Sequence, residues 1–230
     1  MVNIHTVAVI GSGTMGAGIA EVAASHGHPV LVYDIDAAAI SRAVDGIRQR
    51  LSSRVARGKL SADAGEQILA RLTPVTTISA LAKADLVIEA ASERLEVKKA
   101  LFTQLAEICP PQTLLASNTS SISVTAIAAE INHPERVAGL HFFNPAPVMK
   151  LVEVVSGLAT SPEVADALCE LALSWGKQPV RCQSTPGVYR QPRGAPVLLG
   201  SLARAGRAGG NARGDRRRPA RRRGLPDGAA

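Results

Sequence analysis

The sequence predicts an α/β fold in which helices cover both faces of a doubly wound, mainly parallel sheet that includes one antiparallel hairpin. Two observations predict it. Short apolar runs alternate with segments of helical periodicity along most of the chain, and this alternation is typical of parallel strands connected by helices. Near residue 140, two apolar runs follow each other across a short link that contains proline, which predicts the hairpin.

The predicted elements can be placed in chain order. The first half contains a strand, a helix, a second strand and two further helices, at residues 6–10, 14–26, 29–33, 37–57 and 62–72. The second half contains an apolar run, a helix and another apolar run, at residues 86–89, 95–108 and 113–116. A short helix after Ser121 then leads to the hairpin, whose two runs are residues 137–143 and 150–155.

Composition and charge divide the chain into two parts. The 230 residues are 46% hydrophobic, which is ample for a folded core. Residues 1–187 hold 15 Lys and Arg against 17 Asp and Glu, whereas residues 188–230 hold 11 Arg and two Asp. The formal net charge of +7 therefore comes entirely from the tail and gives the body no nucleic-acid signal.

The cysteines and the hydropathy predict a cytoplasmic protein. Cys109, Cys169 and Cys182 are odd in number and lack the spacing of metal or redox sites, which favours a reducing compartment and no bound metal. No segment has the length and apolar character of a membrane span, so we expect no membrane association. The first residues lead directly into a strand, and no signal peptide is expected there.

A G-x-G-x-x-G motif lies between the first predicted strand and helix. Its first glycine permits a tight turn, its second lets the backbone approach a pyrophosphate, and its third lets the helix pack on the strand. We expect this turn to bind a dinucleotide in a Rossmann-like fold, through Gly11, Ser12, Gly13, Thr14, Met15 and Gly16. The alternative is a glycine-rich turn without a ligand.

Asp34 follows Gly16 by 18 residues, at the end of the second predicted strand. A carboxylate at this place binds a ribose 2′-hydroxyl and repels a 2′-phosphate. The sequence therefore favours NAD over NADP, unless the aspartate is incidental.

The hairpin carries an imidazole and a carboxylate at the ends of its two apolar runs, His141 and Glu153. A hairpin returns its far end close to its start, so Glu153 could hold one tautomer of the His141 ring and stabilise the imidazolium, as required of a general base. The alternative is a core histidine and a surface glutamate on neighbouring strands.

Five motifs together resemble the NAD-binding domain of the 3-hydroxyacyl-CoA dehydrogenase family, in register from about residue 4 to Gly187. They are G-S-G-T-M-G-A-G-I-A at 11–20, D-L-V-I-E-A at 85–90, E-R-L-E-V-K-K at 93–99, S-N-T-S-S at 117–121 and H-F-F-N-P-A-P-V-M-K-L-V-E at 141–153. The resemblance implies an oxidoreductase that transfers a hydride between C3 of a (3S)-3-hydroxyacyl-CoA and NAD, in the β-oxidation of fatty or aromatic acids.

The resemblance also implies roles for individual residues. His141 resembles the family's catalytic base, Glu153 its orienting partner, and Ser120 the serine that contacts both the substrate oxygen and the nicotinamide. Further cofactor contacts are implied for Asn144, Glu93 and Lys98, although Arg94 stands where an asparagine is common. S-N-T-S-S could also be a polar turn that caps the next helix.

Basic residues on the helix after Asp34 are open to two interpretations. The family places contacts to the coenzyme A nucleotide on this helix, and the aligned positions are Arg50 and Arg57. The alternatives are a solvated basic face, or electrostatic steering of a polyanionic thioester.

The tail departs from the family after Gly187. Relatives continue with a helical domain that completes the substrate site and forms a homodimer, whereas residues 188–230 are rich in Arg, Gly and Pro and predict disorder. Read from the second base of each codon, residues 189–198 can spell I-V-N-R-V-A-R-P-F, and residues 224–229 permit G-F-P-M-G-P, both found in that domain. We hypothesise that one base inserted near Val188 shifted the frame, either as a sequencing error or in a pseudogene.

The sequence predicts a domain at 1–187 and an off-frame tail at 188–230, with the helical domain missing and activity impaired. Two alternatives stay open. A dehydrogenase of a free hydroxy acid shares much of this architecture, and CoA competition would separate the two. The tail could also be a nucleic-acid-binding arm, but no aromatic residues interleave with its arginines and the frame hypothesis accounts for them. We therefore expect an acyl-CoA substrate and no nucleic acid.

Overall fold

The structure is a computed structural model that describes residues 3–184. The predicted boundary at residue 187 and the tail with its predicted disorder lie outside the described residues. The strands are β1 (Val7–Ile10), β2 (Val30–Tyr33), β3 (Leu72–Val75), β4 (Leu86–Glu89), β5 (Leu114–Ser117), β6 (Val137–Phe142), β7 (Leu151–Ser156) and β8 (Gln178–Gln183). The α-helices are α1 (Thr14–Ser25), α2 (Ala37–Ala56), α3 (Ala62–Ala70), α4 (Leu95–Ile108), α5 (Val124–Ala128) and α6 (Pro162–Ser174).

One sheet contains these strands in the order β3-β2-β1-β4-β5-β6-β7-β8. Neighbouring strands are parallel except β6 and β7, which form the antiparallel hairpin. The predicted fold class, a Rossmann-like and mainly parallel sheet with one hairpin, is confirmed. The strand order runs outward in both directions from β1 and β4, and ligands of such sheets bind at the carboxyl ends of the strands near this point.

Each face of the sheet has its own hydrophobic core. Val7 and Val9 of β1 pack into a cluster with apolar residues of α1, α2, α3 and α6. The alternate residues Ala8 and Ile10 pack on the other face with residues of α4 and α5, such as Phe102. Because both faces of β1 are covered, its four residues are all buried, which explains its continuous apolar sequence.

The hairpin has the register that brings its two polar residues together. His141 of β6 pairs directly with Glu153 of β7, and Leu140 pairs with Val154 beside them. Gly139 is required in this strand, since a Cβ there would come within 2.9 Å of the Val155 side chain. The pairing therefore places the imidazole and the carboxylate opposite each other on neighbouring strands.

Four elements differ from the prediction. The helix predicted to reach residue 72 ends at Ala70, and Leu72 begins β3, an edge strand that pairs with β2 and tolerates Pro74. Helix α6 and strand β8 were not predicted. Strand β8 lies at the opposite edge, where only one side pairs with a described strand, β7.

Trp175, which follows α6, is buried next to the hairpin. Its ring lies 6.2 Å from that of Phe142, the residue after His141. The indole Nε1–H donates a 3.0 Å hydrogen bond to Nε2 of His28, and Nδ1 of His28 contacts the His5 carbonyl oxygen at 3.0 Å. Because Trp Nε1 only donates and a carbonyl only accepts, these contacts select the His28 tautomer protonated at Nδ1.

Within residues 3–184, no helix combines the length and apolar character needed to cross a membrane.

Candidate active site

The glycine turn after β1 is shaped by close backbone contacts. Gly11 has φ +90°, and a Cβ there would lie 2.6 Å from the Ala90 carbonyl oxygen. A Cβ on Gly16 would lie 1.7 Å from the Gly11 carbonyl oxygen, so α1 can pack this closely only with glycine at that position. A Cβ on Gly13 would meet nothing within 4 Å, which leaves open space beside the turn.

The first turn of α1 is suited to hold an anion. Its N-cap is Gly13, which supplies no side-chain acceptor to the backbone N–H groups of that turn. Ser12 is buried, whereas Gly13 and Thr14 are exposed. Free N–H groups at a helix N-terminus bind phosphates, and the open space at Gly13 lets a pyrophosphate approach them. The residues present therefore fit a dinucleotide.

Asp34 lies beside this turn, at the carboxyl end of β2. Its Oδ2 accepts hydrogen bonds from the Ser12 backbone N–H at 2.6 Å and the Ser12 hydroxyl at 2.8 Å, and its Oδ1 accepts one from the Asp36 N–H at 3.0 Å. Partial burial raises the pKa of Asp34, but the hydrogen bonds from Asp36 and Ser12 outweigh it and lower the pKa overall. A carboxylate has further lone pairs, so ribose hydroxyls can still bind it.

A cleft of about 360 Å³ opens between the glycine turn and the hairpin. Six of the predicted site residues line it, namely Met15, Glu93, Lys98, Ser120, His141 and Asn144. Nδ1 of His141 donates to Oε2 of Glu153 at 2.9 Å, with the two side chains 16% and 30% exposed. This contact leaves Nε2 of His141 as the nitrogen with a free lone pair, the arrangement a general base requires.

Ser120 is held in this cleft by its backbone. Its N–H donates to Oε1 of Glu93 at 3.1 Å, and the hydroxyls of Thr119 and Ser121 donate to the same oxygen. Partial burial raises the pKa of Glu93, but the Thr119 hydrogen bond, the charge of Lys98 and the two serines lower it overall. Glu93 therefore acts as a carboxylate that shapes the turn carrying Ser120.

Lys98 lies at the buried end of the cleft rather than free within it. Its Nζ donates to both carboxylate oxygens of Glu89, at 2.7 and 2.8 Å, and lies 3.4 Å from Oε2 of Glu93. Ser117 also donates to Glu89, at 2.6 Å. The predicted cofactor residues Glu93 and Lys98 therefore form one network with Glu89, which is fully buried.

Sequence reasoning did not assign a site role to Glu89 or Asn118. Asn118 lines the cleft, and its Oδ1 accepts the Phe142 N–H at 2.8 Å, which ties the end of β5 to the hairpin. A signal was present in both cases, because each residue stands at or just after the carboxyl end of an apolar run, where parallel strands place their site residues.

Arg50 and Arg57 lie together in a separate pocket of about 670 Å³. The walls include Arg54, Ser53 and Gly46 from α2, and Glu21 from α1. Pro147 and Val148 complete it from the link between β6 and β7. The structure thus brings the two predicted arginines to one concave site and adds Arg54, which the sequence interpretation had left among the general basic residues.

Comparison with known proteins identifies the family. Residues 6–185 match the family described as "3-hydroxyacyl-CoA dehydrogenase, NAD binding domain". The chain is 79% identical over 187 residues to the 3-hydroxyadipyl-CoA dehydrogenase of Escherichia coli, which covers 81% of this chain and 39% of that protein. It is 42% identical over 184 residues to a probable 3-hydroxybutyryl-CoA dehydrogenase of Bacillus subtilis, covering 80% of this chain and 64% of that protein.

Solved structures agree with this. A 3-hydroxybutyryl-CoA dehydrogenase from Escherichia coli superposes with a TM-score of 0.79 at 79% identity, over 80% of this chain and 39% of that one. An (S)-3-hydroxybutyryl-CoA dehydrogenase from Ralstonia eutropha gives 0.78 at 39% identity, over 80% and 65%. The chain thus spans less than two thirds of these relatives' length, and the family's cofactor is NAD. The match over residues 6–185 shows that the chain belongs to the 3-hydroxyacyl-CoA dehydrogenase family, whose NAD-binding domain it carries.

Proposed function

We propose that the protein transfers a hydride between C3 of a (3S)-3-hydroxyacyl-CoA and NAD, in the β-oxidation of fatty or aromatic acids. The observation that carries the proposal is the 2.9 Å hydrogen bond between His141 and Glu153 in a cleft that also contains Ser120 and Met15. When bound, NAD supplies the hydride acceptor. A base is needed beside it because the substrate hydroxyl must lose its proton as the hydride leaves.

The proposed roles follow from the contacts of the side chains. Nε2 of His141 takes the hydroxyl proton, and Glu153 stabilises the imidazolium through Nδ1. The Ser120 hydroxyl donates to the developing carbonyl oxygen, since its turn is fixed through the backbone by Glu93. The first turn of α1 beside Gly13 would hold the phosphates of NAD, and Asp34 would accept hydrogen bonds from its adenosine ribose.

The pocket of Arg50, Arg54 and Arg57 is proposed to bind the phosphates of coenzyme A. The link between β6 and β7 contributes to both sites. Asn144 lines the cleft that contains His141, and Pro147 and Val148 line the arginine pocket. One CoA thioester could therefore reach both sites along this link. The relatives are named for two acyl groups, 3-hydroxyadipyl and 3-hydroxybutyryl, and we propose that the substrate belongs to this short-chain or dicarboxylic class.

Further parts of the proposal concern the whole protein. We propose the domain division at residue 187, an off-frame tail, and a homodimer in relatives that contain the helical domain. The cytoplasm is the proposed location, supported by the free thiols of Cys109, Cys169 and Cys182.

The experiment compares two gene products. The 230-residue chain should quench or enhance NADH fluorescence on binding, yet oxidise NADH only slowly with acetoacetyl-CoA, because the helical domain completes the substrate site in the family. The second product is encoded after removal of one base near codon 188, and this frame-restored enzyme should turn over acetoacetyl-CoA. Wild-type-like turnover by the 230-residue chain would contradict the impairment, and failure of both products to use any 3-oxoacyl-CoA would contradict the function.

A dehydrogenase of a free hydroxy acid is the competing function. Titration of the frame-restored enzyme with CoA separates the two, since competitive inhibition against the substrate is expected only where the substrate carries CoA. The Arg54-containing pocket supports the acyl-CoA function, because a small hydroxy acid has no phosphates for three guanidinium groups to bind.

A further inference from the structure

We propose that Glu21 is a positioning residue of the coenzyme A pocket, which fixes the guanidinium of Arg50 so that its terminal nitrogens face the phosphates. The proposal rests on the proposed function, because it concerns the same pocket. Glu21 lies on α1 and Arg50 on α2, so the contact joins the helix of the glycine turn to the helix of the arginine pocket.

In the contact between Glu21 and Arg50, the carboxylate is buried and the guanidinium is partly exposed. Oε2 of Glu21 accepts a 2.7 Å hydrogen bond from Nε of Arg50, with the carboxylate side chain 3% exposed and the arginine side chain 47% exposed. Among the contacts of residues 3–184, this is the one side-chain hydrogen bond of Glu21. A buried carboxylate is costly unless it is paired, so Glu21 depends on Arg50 for its partner.

The geometry leaves the useful end of Arg50 available. Anchoring at Nε fixes the plane of the guanidinium while Nη1 and Nη2 remain a two-pronged donor, the arrangement that binds phosphate oxygens in pairs. An exposed arginine otherwise loses rotamer freedom when it binds a ligand. The buried carboxylate therefore removes part of that loss before the ligand arrives.

Arg57 offers a contrast within the same pocket. Its Nε donates to the Ser53 carbonyl oxygen at 3.0 Å and its Nη2 donates to the Ser53 hydroxyl at 2.9 Å, so it is folded onto its own helix. These two contacts use one N–H of Nη2 and leave its second N–H and both of Nη1 free, so Arg57 can also donate to a phosphate. It differs from Arg50 in its anchor, because neutral groups of its own helix hold Arg57, whereas a buried carboxylate of another helix holds Arg50.

The charge of Glu21 also acts against anion binding by the pocket. Its charge partly cancels those of Arg50, Arg54 and Arg57, and its removal would make the pocket more positive and favour anions. At physiological ionic strength charges are screened over about 8 Å, which limits this gain. Prearrangement acts on the donor that touches the phosphate. We therefore expect prearrangement to dominate, and the sign of the change in affinity decides between the two effects.

The test measures CoA binding to the 230-residue chain by isothermal titration calorimetry at physiological salt, under reducing conditions. Glu21→Met, which keeps the volume without an acceptor, should weaken CoA binding about tenfold, because Arg50 then loses its rotamer freedom when the ligand binds. Glu21→Gln keeps an acceptor for Nε and should lose less, about threefold. NADH affinity and the melting temperature should stay unchanged in both.

A double-variant cycle separates positioning from general structure. Arg50→Met should weaken CoA binding, and adding Glu21→Met to it should cause no further loss, because Glu21 acts through Arg50. Independent, additive losses would overturn the proposal, as would CoA binding that is unchanged or tighter in Glu21→Met. If Glu21→Met lowers the melting temperature, Glu21→Gln decides, and unchanged or tighter CoA binding by that variant would overturn the proposal.

The unsubstituted chain separates this inference from the proposed function. If it binds NADH but not CoA, the assignment of the arginine pocket to CoA fails, and the role of Glu21 fails with it. If it binds CoA and the Glu21 variants match it, the role of Glu21 fails alone.

Discussion

The contact between His141 and Glu153 decides which ring nitrogen can take a proton. A carboxylate only accepts hydrogen bonds, so the 2.9 Å contact places the proton on Nδ1 and the lone pair on Nε2. Nothing else among the cleft residues combines a free nitrogen lone pair with a fixed orientation, since Lys98 is committed to Glu89. The residue pair therefore has the one arrangement in this cleft that suits a general base.

Substitution of the pair should lower kcat while KM changes little. In the frame-restored enzyme, His141→Gln should reduce kcat by about 10²-fold or more with acetoacetyl-CoA and NADH, because proton transfer at the substrate oxygen is lost. Glu153→Gln should reduce it by a smaller factor of about 10 to 100, because the ring loses its orientation and its counter-charge. Glu130→Gln, at an exposed ion pair with Lys99, is the matched control. An unchanged kcat in His141→Gln would exclude the proposed base.

Asp34 and Glu93 should make stability depend on acid pH. Both carboxyl groups have a lowered pKa in the fold, so in the acid range the unfolded chain binds more protons than the folded one. Their contribution is present above the usual pKa of about 4 and is lost as the pH falls through the lowered values. Urea unfolding should show a free energy of unfolding that falls between about pH 6 and pH 3. In the double variant Asp34→Asn/Glu93→Gln, this free energy should depend less steeply on pH. An identical slope in that variant would exclude this source of the pH dependence.

At the scale of elements, the glycine turn between β1 and α1 separates packing from ligand binding. Gly16→Ala should destabilise the fold, since its Cβ would lie 1.7 Å from a carbonyl oxygen and α1 must move. Gly13 has φ −65°, which alanine adopts without strain, and its Cβ would meet no protein atom within 4 Å. Gly13→Ala should therefore keep the melting temperature and lose about tenfold or more in NADH affinity, because the methyl group would fill the space proposed for the pyrophosphate.

Stability and NADH affinity must both be measured for Gly16→Ala and Gly13→Ala. Differential scanning fluorimetry gives the melting temperatures, and NADH fluorescence titration gives the affinities. Unchanged NADH affinity in Gly13→Ala would place the pyrophosphate elsewhere.

Strands that are buried on both faces could be predicted from the sequence, whereas the two edge strands could not. Strands β1 and β4 are covered on both faces and read as continuous apolar runs. Strand β3 contains Pro74 and an exposed Thr73, and it exists because β2 supplies its hydrogen bonds. Strand β8 is mostly polar, Gln178 to Gln183, and depends on β7 in the same way. Tertiary pairing, which a single sequence does not contain, made both strands.

The site followed the same division. The glycine turn, Asp34 and the hairpin pair could be predicted because each carries a local pattern. The Glu89–Lys98 pair and the Glu21–Arg50 contact could not, because in each the two residues lie on different elements and meet only after the sheet has assembled.

On the scale of the whole domain, residues 3–184, the candidate site residues lie at the carboxyl ends of the parallel strands. Gly11 and Asp34 follow β1 and β2, Glu89 ends β4, Asn118 follows β5, and His141 lies near the end of β6. These strands are parallel, so their carboxyl ends meet, and residues separated by more than a hundred positions share one cleft. The topology therefore assembles the site before any ligand is bound.

Exposed apolar side chains near the β8 edge should cause self-association. Leu173 of α6 and Val180 of β8 are 60% and 47% exposed, and among the described strands β8 has a neighbour on one side only. Sedimentation velocity of the 230-residue chain should show association that increases with concentration. Leu173→Lys/Val180→Lys should reduce it through charge repulsion and lost apolar area, whereas Ile35→Lys, at another exposed apolar residue, should not. If the double variant and Ile35→Lys reduced self-association equally, a role for the β8 edge would be contradicted.

The position of Trp175 gives the molecule an optical property. It is the only tryptophan in the chain, so one indole dominates the intrinsic emission of the protein. That indole lies 6.2 Å from the Phe142 ring and is hydrogen-bonded to His28, which makes its quantum yield sensitive to the packing behind His141. The absorption band of NADH overlaps tryptophan emission, and energy transfer from Trp175 can therefore report occupancy of the cleft without any label.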